Sequence, residues 1–366
     1  MSLQDPPKTK PSFLTIDRTH PDFQKYLLGE LPNAQVALPI QSLHINSREE
    51  KITFQILNRD EVKKPSLLKV LARLMRLDLV GLTLLPVVTV FFEKSGILIE
   101  HASFALLSLL FLHGAIYCRN DFVDHLSGID RLNEKGGSRV IQNGWIRAVT
   151  VRRLSRALLV LAVIFSLPVL VNSLNLVWLS ALGGGIGIIG YSALRRGREL
   201  ESGLRRTSAN WIAGDLSLFF ALGPLLTFGA NIVAHDPLPF GRCALLGSGF
   251  GILAVSYVEI RHLISVVVDD VAGLRTLAVE FGFDRSKRFV ACLFVLAGLC
   301  FTLFLVAMHW PWWVLAAALM LILNLGLAIR IWRTSSPLAS SLPNILKETL
   351  IVHLICGIIV IGFAIL

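Results

Sequence analysis

The chain has 366 residues, of which 54% are hydrophobic and only 16% charged, with a mean hydropathy of +0.66 and a formal net charge of +10. A water-soluble domain carries roughly a quarter charged residues, so this chain lacks the polar surface to face water on all sides and must be covered by lipid over much of it. The positive balance does not point to a nucleic-acid partner, because the basic residues sit in short connections between apolar runs, where they report membrane orientation.

Residues 1–65 read as a small polar extension. Prolines at Pro6, Pro7 and Pro11 loosen its start, and Ile52-Thr53-Phe54-Gln55-Ile56 alternates like a short strand. The stretch from Met1 to Pro65 holds no long apolar segment, so no secretory leader is expected. Its role is not legible from the residues.

From residue 66 to 366, apolar runs recur near the ~20 residues a helix needs to cross a bilayer. They fall near 77–93, 99–118, 155–173, 175–191, 209–231, 241–260, 287–308, 311–332 and 346–366. The expected fold is therefore all-α, a polytopic membrane bundle of about nine transmembrane helices behind the N-terminal extension. The connections after the second, fourth, sixth and eighth runs are rich in arginine, for example Arg139, Arg147, Arg195, Arg205, Arg275 and Arg330, and the alternate ones are nearly bare. That alternation puts the basic loops and the extension in the cytosol. The five cysteines, Cys118, Cys243, Cys292, Cys300 and Cys356, all lie in apolar segments without metal-ligand spacing and read as small hydrophobes.

The sharpest chemical feature follows the second run: Asn120-Asp121-Phe122-Val123-Asp124, then Gly128 and Asp130. If the helix continues, Asp121 and Asp124 share a face, and hard oxygen donors so presented suit Mg²⁺, which shares its shell with water and substrate phosphates. The competing reading is a solvated helix end. A second acidic cluster, Asp269-Asp270, follows the sixth run and carries Arg275-Thr276 after it; read blandly, it is a polar turn between spans. Three polar residues lie in or near spans, where ionisable groups are functional candidates. Asp215 either orients an acceptor or is a shallow residue beside Trp211. His113 either lines a cavity or bonds a neighbouring helix. His353 is given no role.

The two clusters resemble the aspartate-rich motifs of the UbiA superfamily of intramembrane prenyltransferases, and within it the 1,4-dihydroxy-2-naphthoate prenyltransferases of menaquinone synthesis. Asn120, Asp121, Asp124, Gly128 and Asp130 reproduce that branch's first motif, and Gly136 to Gly144 is similar to the stretch that follows it. Tyr191 with Arg195 is similar to the family's Tyr-x-x-x-Lys/Arg, and Gly273 to Ala278 matches most of its AGKRTLA signature. The resemblance covers roughly 70 to 366 and leaves the extension outside.

The resemblance implies a Mg²⁺-dependent transfer of a polyprenyl group from an allylic polyprenyl diphosphate to an aromatic acceptor, within a bacterial inner membrane. It implies metal ligation by Asn120, Asp121, Asp124, Asp130, Asp269 and Asp270, with Asp121, Asp124 and Asp269 catalytic. It implies diphosphate contacts from Arg139, Tyr191, Arg195 and Arg275, and an acceptor pocket near His113, Asp215 and His262. The second motif departs from the pattern: Ser265 stands where an Asp is expected, His262 where an Asn is expected, and Leu274 replaces the Lys of AGKRT. Two further readings stay open, a different acceptor (a phenol, a lipid glycerol or a sugar phosphate) and a non-catalytic lipid-binding relative.

Overall fold

The computed structural model describes residues 12–32, 34–43, 49–93, 99–133, 136–173, 209–233, 238–271, 274–308 and 313–365. The extension folds into three strands and one helix: β1 (Ser12–Asp17), α1 (Phe23–Leu28), β2 (Gln35–Leu43) and β3 (Lys51–Asn58). β3 lies in the middle, antiparallel to both neighbours, with Ser12 opposite Ile56 and Gln35 opposite Asn58. The alternation of Ile52 and Phe54 turns both inward, where they bury with Ile16, Phe23 and Leu27 in a small separate core. The chain is thus not wholly helical, as the apolar runs alone suggest. β1 and β2 escape a sequence reading because β1 exposes Phe13 and β2 shifts register between Pro39 and Gln41, which breaks the two-residue period.

The remainder is helical. α2 (Leu67–Leu74) buries Val70 and Leu74 and leaves Leu67 and Leu68 exposed, and the chain bends by 50° before it continues through α3 (Val80–Glu93). Then come α4 (Ile99–Ser127), the one-turn α5 (Ile129–Leu132), α6 (Ala148–Ser173), α7 (Ala209–Leu222), α8 (Pro224–Val233) and α9 (Phe240–Val271). The short α10 (Leu277–Phe281) leads into α11 (Phe283–Met308), α12 (Trp313–Trp332) and α13 (Ser341–Ile365).

Among the described residues, seven helices are long and apolar enough to cross a membrane, and up to eight if the bent pair counts as one span. The run expected at 175–191 lies outside the described residues; every other expected run falls on helix. Exposed leucines, isoleucines and valines recur at helical spacing on the outer faces, such as Leu296, Leu299 and Leu303 on α11 and Ile351, Leu354 and Ile358 on α13. Such stripes are stable only against lipid. The protein is an integral, multi-pass membrane protein.

α9 runs through the middle of the bundle, packed by α7, α8, α11, α13 and α3. Its partner Phe301 on α11 meets Phe250 edge-on at 5.1 Å. Where α7 breaks into α8, a Cβ on Gly223 would stand 2.2 Å from the Gly247 carbonyl oxygen and 2.7 Å from Gly251. Only glycine lets these backbones touch, the small-residue contact of membrane helices. Two helices outrun their apolar stretches: α4 continues to Ser127 rather than ending near 118, and α9 to Val271 rather than near 260. Asp121 and Asp124, like Asp269 and Asp270, therefore stand on continuous helix rather than in loops.

Candidate functional site

α4 carries Asn120, Asp121 and Asp124 on its last turns, and Gly128 at φ 81° ends it. The chain then makes α5 and doubles back through Gly136 to Gly144 against the same helix end. Asp121 is buried, and the Ser138 backbone N–H lies 3.4 and 3.3 Å from its two oxygens. Asp124 is half-buried one turn on. Asp130, also buried, accepts the Gln142 amide at 2.6 Å through Oδ2. The returning loop comes so close that a Cβ on Gly137, itself at φ 64°, would stand 2.8 Å from Asp130 Oδ1. A side chain there would be strained and would displace the carboxylate.

Three carboxylates that the sequence singles out, Asp121, Asp124 and Asp130, therefore stand close enough to act on one another's charge. Burial, then the charges of Asp124 and Asp121, push the Asp130 carboxyl up to about 7. Carboxylates crowded this way favour a bound cation. Among the described residues no three His, Cys, Asp or Glu side chains enclose an ion. The donor set of Asn120, Asp121, Asp124 and Asp130 fits an ion that takes one or two carboxylates and completes its shell with water and phosphate, as Mg²⁺ does.

Sequence reasoning missed Arg76. It occupies the left-handed region (φ 50°) at the bend before α3, with one guanidinium nitrogen 4.0 Å from Asp121 Oδ1. Its carbonyl is held by His113 Nε2 at 3.2 Å, and His113 Nδ1 meets Thr83 Oγ1 at 2.8 Å. Both nitrogens of His113 are thus engaged, one by Thr83 on α3 and one by the Arg76 carbonyl at the bend. The alternative, a bond to a neighbouring helix, is what the geometry shows. Arg139 also folds inward: it donates to the backbone carbonyls of Asp130 and Asn133, tying the hairpin across its mouth.

The second cluster is built differently. Asp269 is buried at the end of α9 and accepts the Ser265 hydroxyl at 2.8 Å, while that hydroxyl also lies 2.9 Å from the Arg261 carbonyl. Asp270, next along the helix, is exposed and does not share Asp269's face. Arg275 pairs with Glu280 at 3.2 Å. His262 Nδ1 lies 3.0 Å from Glu259 Oε1, and Asp215 faces both Glu259 and His262. Glu259, only 1% exposed in its side chain, is the second residue missed. An acid inside an apolar run was the available signal. Tyr191 and Arg195 lie outside the described residues. Among the described residues no hydrogen bond or ion pair joins the two clusters.

The model of the UbiA prenyltransferase family matches residues 83–342. The 1,4-dihydroxy-2-naphthoate octaprenyltransferase of Escherichia coli (strain K12) is 28% identical over 212 residues, 56% of this chain and 65% of that protein. The enzyme of the same name from Haemophilus influenzae is 28% identical over 209 residues, 57% of this chain and 66% of that protein. The matches thus span a little less than two thirds of each relative. In fold, the chain is similar to a UbiA homolog from Archaeoglobus fulgidus solved with GPP and Mg²⁺, with a TM-score of 0.60 at 18% identity over 81% of this chain and 99% of that one. The same homolog solved with DMAPP and Mg²⁺ gives 0.59 at 18% identity, over 81% and 98%. A digeranylgeranylglyceryl phosphate synthase gives 0.55 at 17% identity, again over 81% and 98%.

Proposed function

The chain belongs to the UbiA prenyltransferase family, and from that premise we propose that it transfers a polyprenyl group from an allylic polyprenyl diphosphate to an aromatic acceptor, 1,4-dihydroxy-2-naphthoate or a close analogue. The observation that carries this reading is the convergence of Asp121, Asp124 and Asp130 at the end of α4, inside the matched region. The 28% identity to two naphthoate octaprenyltransferases supports the acceptor. The arginine-rich connections support a cytosolic mouth and N-terminus and, in a bacterial cell, the inner membrane.

The reaction breaks the allylic C–O bond, and its electron pair leaves with the diphosphate. An electron-rich ring carbon attacks the allylic cation, and the ring regains aromaticity by losing the group that carbon carried. When bound, Mg²⁺ supplies charge neutralisation to the departing diphosphate. Asp121, Asp124 and Asp130, with Asn120, would hold it; the Ser138 N–H and the Gln142 amide fix two of those carboxylates. Arg76, beside Asp121, adds a cation on the same side. Tyr117, one turn before Asp121, shares an apolar cluster with Tyr257 on α9, and π faces there stabilise an allylic cation. Asp215, Glu259 and His262 form a polar group within the bundle that suits a hydroxylated acceptor.

The test is turnover by the purified protein with labelled polyprenyl diphosphates and an acceptor panel, in Mg²⁺ and in EDTA, beside the Asp121→Asn/Asp124→Asn double variant. A prenylated product that needs both Mg²⁺ and the two carboxylates is the expected result. Turnover that survives the double variant would sink the proposed metal site. The Ser265–Asp269 bond favours a second reading, a relative that binds the donor without transferring it; donor binding with no product on any acceptor would select it.

A further inference from the structure

We propose that the N-terminal sheet is a brace for the first acidic cluster, and that Glu50 is its positioning residue. The proposal rests on the reading of Asp130 as part of that cation site.

Two ties run from the extension to either side of Asp130. The first is an ion pair. Arg131, the next residue along, reaches Glu50 Oε1 at 2.5 Å, with the two side chains only 3% and 2% exposed. Glu50 stands just before β3, and its carbonyl accepts the Arg18 N–H at 3.0 Å, which pins it to the sheet. The same guanidinium donates to the His125 carbonyl at 2.8 Å, so it clamps the end of α4 as well.

The second tie is a relay. The Leu27 carbonyl, at the end of α1, lies 2.8 Å from His125 Nε2. A carbonyl only accepts, so Nε2 carries the proton and Nδ1 is an acceptor. The Gln142 amide reaches that Nδ1 at 3.4 Å and Asp130 Oδ2 at 2.6 Å. The path from the sheet to the carboxylate therefore runs Leu27, His125, Gln142, Asp130, with donors and acceptors matched at each step.

α5 is four residues long and has no stability of its own. What holds Asp130 in register must come from outside it. The family match begins at residue 83, so Glu50 and Leu27, the extension's ends of the two ties, lie outside the matched region. Leu126 packs on the extension's core, adding an apolar contact between the two polar ties. Groups that orient metal ligands in this way commonly change metal affinity by about 10- to 100-fold when removed.

The experiment uses the full chain in detergent, with Mn²⁺ as the probe and its free EPR signal as the readout. Glu50→Gln keeps the shape and removes the charge. The expected result is Mn²⁺ binding weaker by about tenfold, a matching rise in the Mg²⁺ half-saturation of turnover, and an unchanged kcat at saturating metal. Glu50→Asp, which keeps the charge, recovers part of the loss. A merely structural role would lower the yield of folded protein without moving the affinity of what folds. His125→Phe, which severs the relay while leaving the ion pair, is the second variant and shifts Mn²⁺ affinity the same way, so the proposal stays testable where Glu50→Gln does not fold. A folded variant of either kind with wild-type Mn²⁺ affinity overturns the brace alone. A wild-type chain that binds no Mn²⁺ overturns the cation site itself and the brace with it.

Discussion

The two acidic clusters end helices of similar length in the same bundle, yet their carboxylates are held in opposite ways. At the end of α4, Asp121 and Asp130 are gripped by a backbone N–H and an amide from a returning hairpin, and they crowd one another and Asp124. At the end of α9, Asp269 is answered from within its own helix by Ser265, and His262 is answered by Glu259. The first cluster gathers three carboxylates near the Arg76 guanidinium, and burial with their mutual repulsion raises Asp130. The second presents a single buried aspartate, Asp269, already bonded within its own helix. Diphosphate anchoring should therefore weigh on the first cluster far more than on the second.

The largest effect follows directly. Asp121→Asn should cut turnover by about a thousandfold, since several kcal/mol of charge stabilisation are lost at about 1.4 kcal/mol per factor of ten. Asp269→Asn should cost about tenfold on the same scale. Equal losses at the two positions would erase the contrast. Ser265→Asp sharpens it: a restored second carboxylate should tighten the Mg²⁺ half-saturation, and a looser one would show that the serine is not the deficit.

Next in size is a pH effect on the metal-free fold. The Asp130 carboxyl is raised from its ordinary 3.8 to about 7, so the folded state holds its proton more tightly than the unfolded chain. Stability from this group is complete below pH ~4 and is lost as pH rises through ~7, by up to about 4 kcal/mol. In EDTA the melting temperature should fall across that window. Mg²⁺ should reverse the fall, and Asp130→Asn should flatten it. A melting temperature that rises through the same window would contradict the crowding at the first cluster.

How much of this contrast was legible beforehand differs between its parts. The spacing of Asn120, Asp121, Asp124 and Asp130 is a local pattern, and the structure sets Asp121 and Asp124 near Asp130. Hydropathy put the ends of α4 and α9 too early because it reports contact with lipid rather than continuity of helix. The buried α9 runs on through Glu259, Arg261 and His262, all polar. The brace was illegible for a different reason. Glu50 meets Arg131 across 81 positions, and Leu27 meets His125 across 98; no local period encodes such pairings. Arg76 hid in plain view, since an arginine just before a span reads as an orientation signal.

Arg76 supplies the third test, about tenfold in size. Arg76→Gln removes the cation beside Asp121 while leaving the bend's length intact. The donor KM should rise by about tenfold, the scale of one charged contact at ~1.4 kcal/mol, with kcat little changed. A fall in kcat with unchanged KM would place the guanidinium in the departure step rather than in binding.

The smallest effect separates the site from its scaffold. Thr83→Val keeps the volume but leaves His113 Nδ1 without the hydroxyl that now sits 2.8 Å away, in a position only 2% exposed. An orphaned buried polar group costs about 1–3 kcal/mol, so the melting temperature should fall by a few degrees. His113 holds the Arg76 carbonyl through its other nitrogen, at 3.2 Å. If that tie only stabilises the bend, the donor KM of Thr83→Val should match wild type at temperatures where the variant stays folded. If the KM rises together with the fall in melting temperature, the bend is positioning Arg76, and the first cluster extends its hold one layer further, into α3.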